Sequence, residues 1–267
     1  MIALCAMTGL NRAGYYRFRL PRQGIPVEME LRDQMQKIAL QWPGYGYRRI
    51  TAELQRCSFA VNHKRVLRMM RQDNLLCVRR RAFVATTDSR HSLPVYPNLA
   101  RDMELTAVNQ LWVADITYIR LRKEFVYLSV VLDAYSRRVI GWALGRTLEA
   151  ELAVSALRMA LLSRRPAPGL VHHSDRGIQY ASQNYTGLLK EHEITISMSR
   201  KGNPYDNAAC ESFMKTLKYD EVYRNEYRDF EDVRRSISQF LEVVYNQHRL
   251  HSALGYRAPS DFEKGPP

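Results

Sequence analysis

The run Leu111-Trp112-Val113-Ala114-Asp115-Ile116-Thr117-Tyr118-Ile119-Arg120-Leu121, then Phe125-Val126-Tyr127-Leu128-Ser129-Val130-Val131-Leu132, then Val139-Ile140-Gly141-Trp142-Ala143-Leu144, decides the fold. Each block has the β-branched and aromatic content of a strand. Arg122-Lys123-Glu124 and Asp133-Ala134-Tyr135-Ser136-Arg137 are the turns between them, so the three strands form an antiparallel meander. The middle block is almost wholly apolar, as a strand buried on both faces would be. At eight residues it is far short of the roughly 20 needed to span a bilayer.

Downstream the period changes. Leu152, Ala156, Met159 and Ala160 recur at helical spacing in Glu151 to Ser163, and Leu170 to His173 reads as a short strand. Gln183 to His192 is a predicted helix and Ile194 to Met198 a strand, after which the chain from Asp206 onward reads as mostly helical. The predicted fold class is α/β, a mixed sheet flanked by helices.

Upstream the chain is all-α. Helix Glu28 to Gln41 is stopped by Trp42-Pro43-Gly44, a second helix covers Arg48 to Arg56, and Asn62 caps a third, His63 to Asp73. The third helix is apolar at Val66, Leu67 and Met70, while Lys64, Arg68 and Arg71, with Arg65 beside them, line another face. That is either a helix-turn-helix that lays its second helix in a DNA groove or an ordinary hairpin with a solvated basic side. The charge distribution fits either reading. Residues 1–104 hold 18 basic and 8 acidic side chains, residues 105–267 hold 22 and 19, and the whole chain is +13. Residues 1–27 read as an N-terminal helical segment, 28–81 as the helix-turn-helix region and 82–108, with Pro94 and Pro97, as a linker. The first residues carry no basic leader, and the four cysteines form no Cys-x-x-Cys pair, so a cytoplasmic chain without a disulfide framework is expected.

Three acids stand out. Asp115 has only apolar and hydroxyl neighbours, Asp175 follows a short strand where a loop opens at Arg176-Gly177, and Glu211 lies early in a helix that Asp206 or Asn207 caps. Fifty-nine residues separate the first two and 35 the last two. Taken singly, Asp175 reads equally well as a turn residue and Glu211 as an exposed helix residue. Taken together, acids brought to one end of such a sheet repel one another, and hard cations such as Mg²⁺ or Mn²⁺ relieve that through oxygen ligands. Lys215 and Lys218 follow Glu211 on one helix face, placed either to hold DNA or to pair with the glutamate. His173 reads as a phosphate- or water-positioning group or as a satisfied structural histidine, and Cys210 as packing.

The spacing of the acids and the blocks around them resemble a known family. Trp112 to Tyr118, His173-Ser174-Asp175-Arg176-Gly177-Ile178-Gln179-Tyr180, Asn203 to Phe213 and Tyr245-Asn246-Gln247-His248-Arg249-Leu250-His251-Ser252-Ala253-Leu254-Gly255-Tyr256 closely resemble the OrfB proteins of bacterial copy-out, paste-in insertion sequences. Gly44 to Ile50 is similar to the helix-turn-helix segment that precedes their catalytic core. The resemblance implies a ribonuclease H-like integrase core over 109–218 with a helical C-terminal extension over 219–267. It implies DNA cleavage and strand transfer by Asp115, Asp175 and Glu211 with two Mg²⁺ or Mn²⁺ ions, water or a 3′-hydroxyl being the nucleophile. Lys64, Arg65, Arg68, Arg71, Lys215 and Lys218 become the implied DNA contacts. The implied partners are the element's terminal inverted repeats and target DNA, further copies of the chain on that DNA, and an upstream reading-frame product that supplies a coiled coil; the place is the bacterial nucleoid. A DNA-binding regulator made from the same element is the rival, and a plain nuclease of the same fold a third reading. His248 and His251 form a His-x-x-His pair with no Cys-x-x-Cys beside it, so no zinc site is expected.

Overall fold

The computed structural model describes residues 25–75, 93–200 and 207–265, in two compact units that divide between Cys77 and Val78. The helical segment expected before residue 25 lies outside the described residues.

The first unit is three helices, α1 (Ile25–Gln41), α2 (Tyr47–Arg56) and α3 (His63–Gln72). Trp42 stacks on Tyr45 in the turn after α1, and Asn62 Oδ1 accepts the Lys64 amide at 2.8 Å, so α3 is capped as its sequence predicts. Ser58 turns the chain between α2 and α3 at a left-handed φ of 67°. Leu31, Met35 and Ile38 of α1, Ile50 and Leu54 of α2, and Val66, Met69 and Met70 of α3 are buried. The inward stripe of α3 therefore includes Met69, and Leu67 is only half-buried. Arg32 of α1 reaches across to Asp73 at the end of α3.

The second unit is built on a five-stranded mixed sheet in the order β3-β2-β1-β4-β5. β1 (Leu111–Arg120), β2 (Phe125–Asp133) and β3 (Val139–Gly145) form the expected meander, with Trp112 opposite Asp133 and Arg120 opposite Phe125. The chain then crosses one face in α4 (Ala150–Arg164) and returns as β4 (Val171–Ser174), parallel to β1 on its free side. A short helix α5 (Ile178–Ala181) and α6 (Gln183–Glu191) lead to β5 (Thr195–Met198), parallel to β4. α4 and α6 bury Ala153, Ala156, Leu157, Ala160, Tyr185 and Leu189 against Trp112, Ala114, Val131 and Ile140.

The opposite face is covered by α7 (Ala208–Leu217), α8 (Phe230–Gln239) and two wider, π-helical stretches, Lys218–Val222 and Phe240–His248, with α9 (Pro259–Glu263) after them. Most of these elements lie in the stretch expected as a helical extension, 219–267. Val233, Ile237, Phe240, Leu241 and Tyr245 join one cluster with Val113, Val126, Leu128 and Val130. Each such side chain contributes roughly 1.5–3 kcal/mol on burial, and together that is comparable with the ~5–15 kcal/mol by which a domain is stable at all. Residues 219–250 are therefore part of the core. Asn246 makes the point locally: its side chain bonds both the amide (3.0 Å) and the carbonyl (2.8 Å) of Val139 on edge strand β3.

The described part of the expected linker packs along the sheet. Pro97 O accepts from Met198 of edge strand β5, Ser197 Oγ accepts from the Leu99 amide, and Leu93, Tyr96, Met103 and Leu105 pack on the two faces of the core. Aperiodic sequence here means a segment that crosses the sheet edge, where no helical or strand period is required.

α4 approaches β3 at Gly141, where an added Cβ would meet the Ala156 carbonyl at 2.2 Å and the Ala160 amide at 2.7 Å. Backbone cannot yield as a side-chain tip can, so Gly141→Ala should cost at least about 1–3 kcal/mol, the range for overpacked cores. Urea denaturation checks it; an unchanged midpoint would show that α4 can move away freely.

Candidate active site

The position of the acids follows from strand register. The last parallel pair between β1 and β4 is Val113 with His173, and two residues beyond each come Asp115 and Asp175. Asp175 thus leaves the sheet just past the end of β4, beside Asp115, which β1 still holds in register with Val130 of β2. Asp115 Oδ1 accepts the Ile116 amide at 2.8 Å, and Asp175 Oδ1 accepts the Gly177 amide at 2.8 Å. A Cβ on Gly177 would lie 2.9 Å from that same oxygen, so glycine lets the loop close on the carboxylate.

Glu211 approaches on α7. Asn207 stands at the N-cap position but does not cap: its Nδ2 donates to Ala114 O at 3.2 Å, joining the start of α7 to β1 beside Asp115. The capping expected of Asn207 is thus replaced by a tie between helix and sheet, and Asp206 lies outside the described residues. Glu211 Oε2 is 3.6 Å from Lys215 Nζ, the i,i+4 pair. Lys218 is half-buried with its Nζ 4.8 Å from the centre of the Tyr118 ring. Among the described residues no three His, Cys, Asp or Glu side chains close on one point as a metal cage would.

Two cavities meet at Asp115. One, of about 510 Å³, is lined by Asp115, Asp175, Tyr118, Phe125, Leu148 and Gln179 among others. The second, of about 600 Å³, is lined by Asp115, Glu211, Arg120, Lys215, Lys218 and Tyr219 among others. Asp115, Tyr118 and Phe125 belong to both.

Burial is the main reason the Asp115 carboxyl is pushed up from 3.8 to about 7; the charges of Asp175 and Glu211 add to it, while the Ile116 amide and Lys218 oppose it. Burial also lowers the Lys218 ammonium, against the pull of Asp115. The Cys210 thiol is held well up by burial and by both aspartates, which keeps it protonated and makes it packing. His173 is a structural tie: Nδ1 is 2.8 Å from Ser197 Oγ and Nε2 3.0 Å from Ser199 Oγ, both on the β5 side. His172, pushed down to about 3 by burial and by His173, is neutral and meets Tyr185 Oη at 2.9 Å.

The basic residues of the first unit divide. Lys64, Arg68 and Arg71 are exposed along α3, whereas Arg65 is half-buried with its guanidinium 3.6 Å from Glu28. His248 Nδ1 meets the Val243 carbonyl at 3.0 Å, and His251 bonds through its backbone to Arg257. Sequence reasoning did not single out Tyr118, Phe125 or Tyr180, and read Asn207 only as a helix cap. Tyr118 carries a signal in hindsight, three residues after an acid on the same strand. Asn207 carries another, one turn before Glu211.

A helix-turn-helix-like module and a ribonuclease H-like sheet with two acids in register and a third on a neighbouring helix define the integrase-type class of DNA-processing proteins. Family profiles agree in their descriptions: "HTH-like domain" matches residues 26–83, and "Integrase core domain" matches residues 106–204 and, in a second profile, 192–259. The chain is 37% identical to the 31 kDa protein of insertion element IS600 from Shigella sonnei, over 98% of this chain and 97% of that one. It is 35% identical to transposase InsF of insertion sequence IS3A from Escherichia coli (strain K12), over 98% and 93%. The simian T-cell lymphotropic virus intasome structure, in complex with PP2A regulatory subunit B56 gamma, contains a chain of the same fold. Its TM-score is 0.50 at 16% identity, over 87% of this chain and 75% of that one. The chain belongs to the IS3 family of insertion-sequence transposases. Among the described residues no helix is long and apolar enough to cross a membrane.

The crowding of the acids has a measurable consequence. The folded chain keeps a proton on Asp115 that the unfolded chain releases near pH 4, so this group's contribution to stability is present at low pH and is lost as pH rises through about 7. In chelator at pH 8, Asp115→Asn should melt higher than the wild type, by about 2–4 °C for each kcal/mol recovered, and the difference should shrink toward pH 5. Equal melting at pH 8 would show that the carboxylate is not under electrostatic strain.

Proposed function

We propose that this chain is a catalytically competent DNA transposase that cuts and joins strands at the ends of its insertion sequence. The observation that carries the reading is the parallel register that sets Asp115 beside Asp175 at the point where Asn207 ties in the helix bearing Glu211. The donor set fits Mg²⁺ or Mn²⁺: it is all carboxylate oxygen, and the charges of Asp175 and Glu211 help hold Asp115 in the protonated range. The three carboxylates would hold two ions, with Glu211 exchanging Lys215 for a ligand role. When bound, the ions activate the attacking oxygen and stabilise the leaving oxygen of an in-line displacement at phosphorus.

The chain's own groups do the rest. Asp115 and Asp175 keep one geometry because each accepts a backbone amide. Lys215, once released, and Lys218 hold phosphates of the terminal DNA in the basic cavity, and Arg120 extends that lining. The nucleophile is water in cleavage and a 3′-hydroxyl in joining, with no covalent protein intermediate. Lys64, Arg68 and Arg71 contact the terminal repeat through the exposed side of α3, and Arg65 joins them on leaving Glu28. Target DNA, further copies of the chain on the DNA and an upstream reading-frame product complete the partners, and the nucleoid is the place of action. The domain plan places end recognition in residues 28–81 and chemistry from 109 onward.

Asp115→Asn, Asp175→Asn and Glu211→Gln should each abolish cleavage and strand transfer on a pre-cleaved terminal repeat while leaving end binding largely intact. Wild-type joining from any one of them would remove that residue from the site, and end binding without joining by the wild type would favour the regulator reading. The exposed side of α3 has its own test. Replacing Lys64, Arg68 and Arg71 together should flatten the log–log salt dependence of end binding by roughly 3 units, at about 0.9 per phosphate contact. An unchanged slope would mean these charges are only solvated.

A further inference from the structure

The two cavities that meet at Asp115 are chemically unlike. The larger is lined by Arg120, Lys215 and Lys218, and suits a phosphate backbone. The smaller has no lysine or arginine in its lining, and its charged groups are Asp115 and Asp175 themselves. The rest of its wall is Ile116, Thr117, Tyr118, Phe125, Tyr127 and Leu148 with Gln179 and Tyr180. Tyr118 lies opposite Tyr127 across β1 and β2, and Phe125 packs edge-on to Tyr118 at 5.7 Å, so the aromatic groups form one continuous wall. At its mouth, Phe125 is 50% exposed and Leu148 41%, apolar surface that water covers poorly.

We propose that this cavity takes a nucleobase lifted from the stack next to the phosphodiester under attack, a base-binding site separate from the phosphate-binding one. The inference rests on the proposed reaction at the acids. A phosphodiester held at Asp115 and Asp175 carries a base on each neighbouring sugar, within reach of a cavity that shares both acids. A volume of about 510 Å³ lies within the roughly 300–1,000 Å³ of cavities that enclose small ligands. A neutral flat π-system is what an aromatic wall without cations recognises, and such stacking tolerates any base. Unstacking costs a few kcal/mol, which contact with Tyr118, Phe125 and Leu148 offsets. Lifting the base would also open the duplex around the phosphate that the acids must reach.

The test uses the full chain and a duplex of the element's terminal repeat, without divalent ion so that the strands stay intact. 2-Aminopurine is placed in turn at each position flanking the cleavage point. Its fluorescence should rise several-fold at one position on binding. Phe125→Ala with Leu148→Ala should abolish the rise and weaken end binding by about tenfold, within the range of one stacked base, whereas Phe125→Trp should keep the rise. Saturated end binding with flat fluorescence at every position would overturn the base site and leave the proposed function standing. A rise undiminished in the double variant would also overturn it, and absence of end binding would take both down together.

Discussion

Parallel pairing between β1 and β4 is the constraint on which the rest of the catalytic unit depends. Parallel strands cannot be joined by a tight turn, so the chain must cross a face of the sheet between them, and here it does so in α4. The same pairing makes both strands run the same way, so that β4 ends alongside the middle of β1, where Asp115 stands. Two acids from distant parts of the sequence arrive there as neighbours because Val113 is opposite His173. Had β4 run antiparallel, Asp175 would open at the other end of the sheet and no arrangement of α7 would assemble three acids.

This arrangement sets a folding problem that the surrounding structure solves. Crowded acids destabilise a metal-free fold, and that cost falls on the strand at the centre of the sheet. The compensation is spread over both faces, with α4 and α6 on one side and α7, α8 and the second π-helical stretch on the other. Polar side chains act at the margins. Asn207 holds α7 to β1, Asn246 completes the hydrogen bonding of edge strand β3, and Glu263 meets Arg138 and Arg164 to fasten α9. Arg249, just after the second π-helical stretch, and Asp220 of the first form a part-buried pair at 2.9 Å that ties the two stretches together.

The strand meander, the flanking helices and the acids could all be read from residue types and spacing, because each is a local pattern. Apolar runs mark β1 and β2, the 3.6 period marks α4, and an acid alone among apolar neighbours marks Asp115. What escaped reading was long-range. Nothing local distinguishes Asn207 the cap from Asn207 the tie to Ala114, since the partner lies 93 residues away. The chain from Asp206 onward reads only as mostly helical, and the sheet that Val233, Ile237 and Tyr245 cover reveals them as core. Residues 93–105 show no period because they follow the edge of the sheet. The family resemblance implied the acidic triad, whereas the division of the surroundings into a basic and an aromatic cavity follows only from the fold.

Because side chains of Val233 to Tyr245 close one face of the sheet, the order of synthesis matters. A ribosome adding about 5–20 residues per second needs roughly 5–20 s to travel from the end of β3 to Tyr245. Throughout that interval the meander exists with Val126, Leu128 and Val130 uncovered, a sticky surface on a nascent chain. Glu211 gains its final support only after residues well downstream of it have emerged. The surroundings of Asp115 are therefore completed well after its own strand has been made, which puts a built-in delay between the synthesis of the sheet and a finished site.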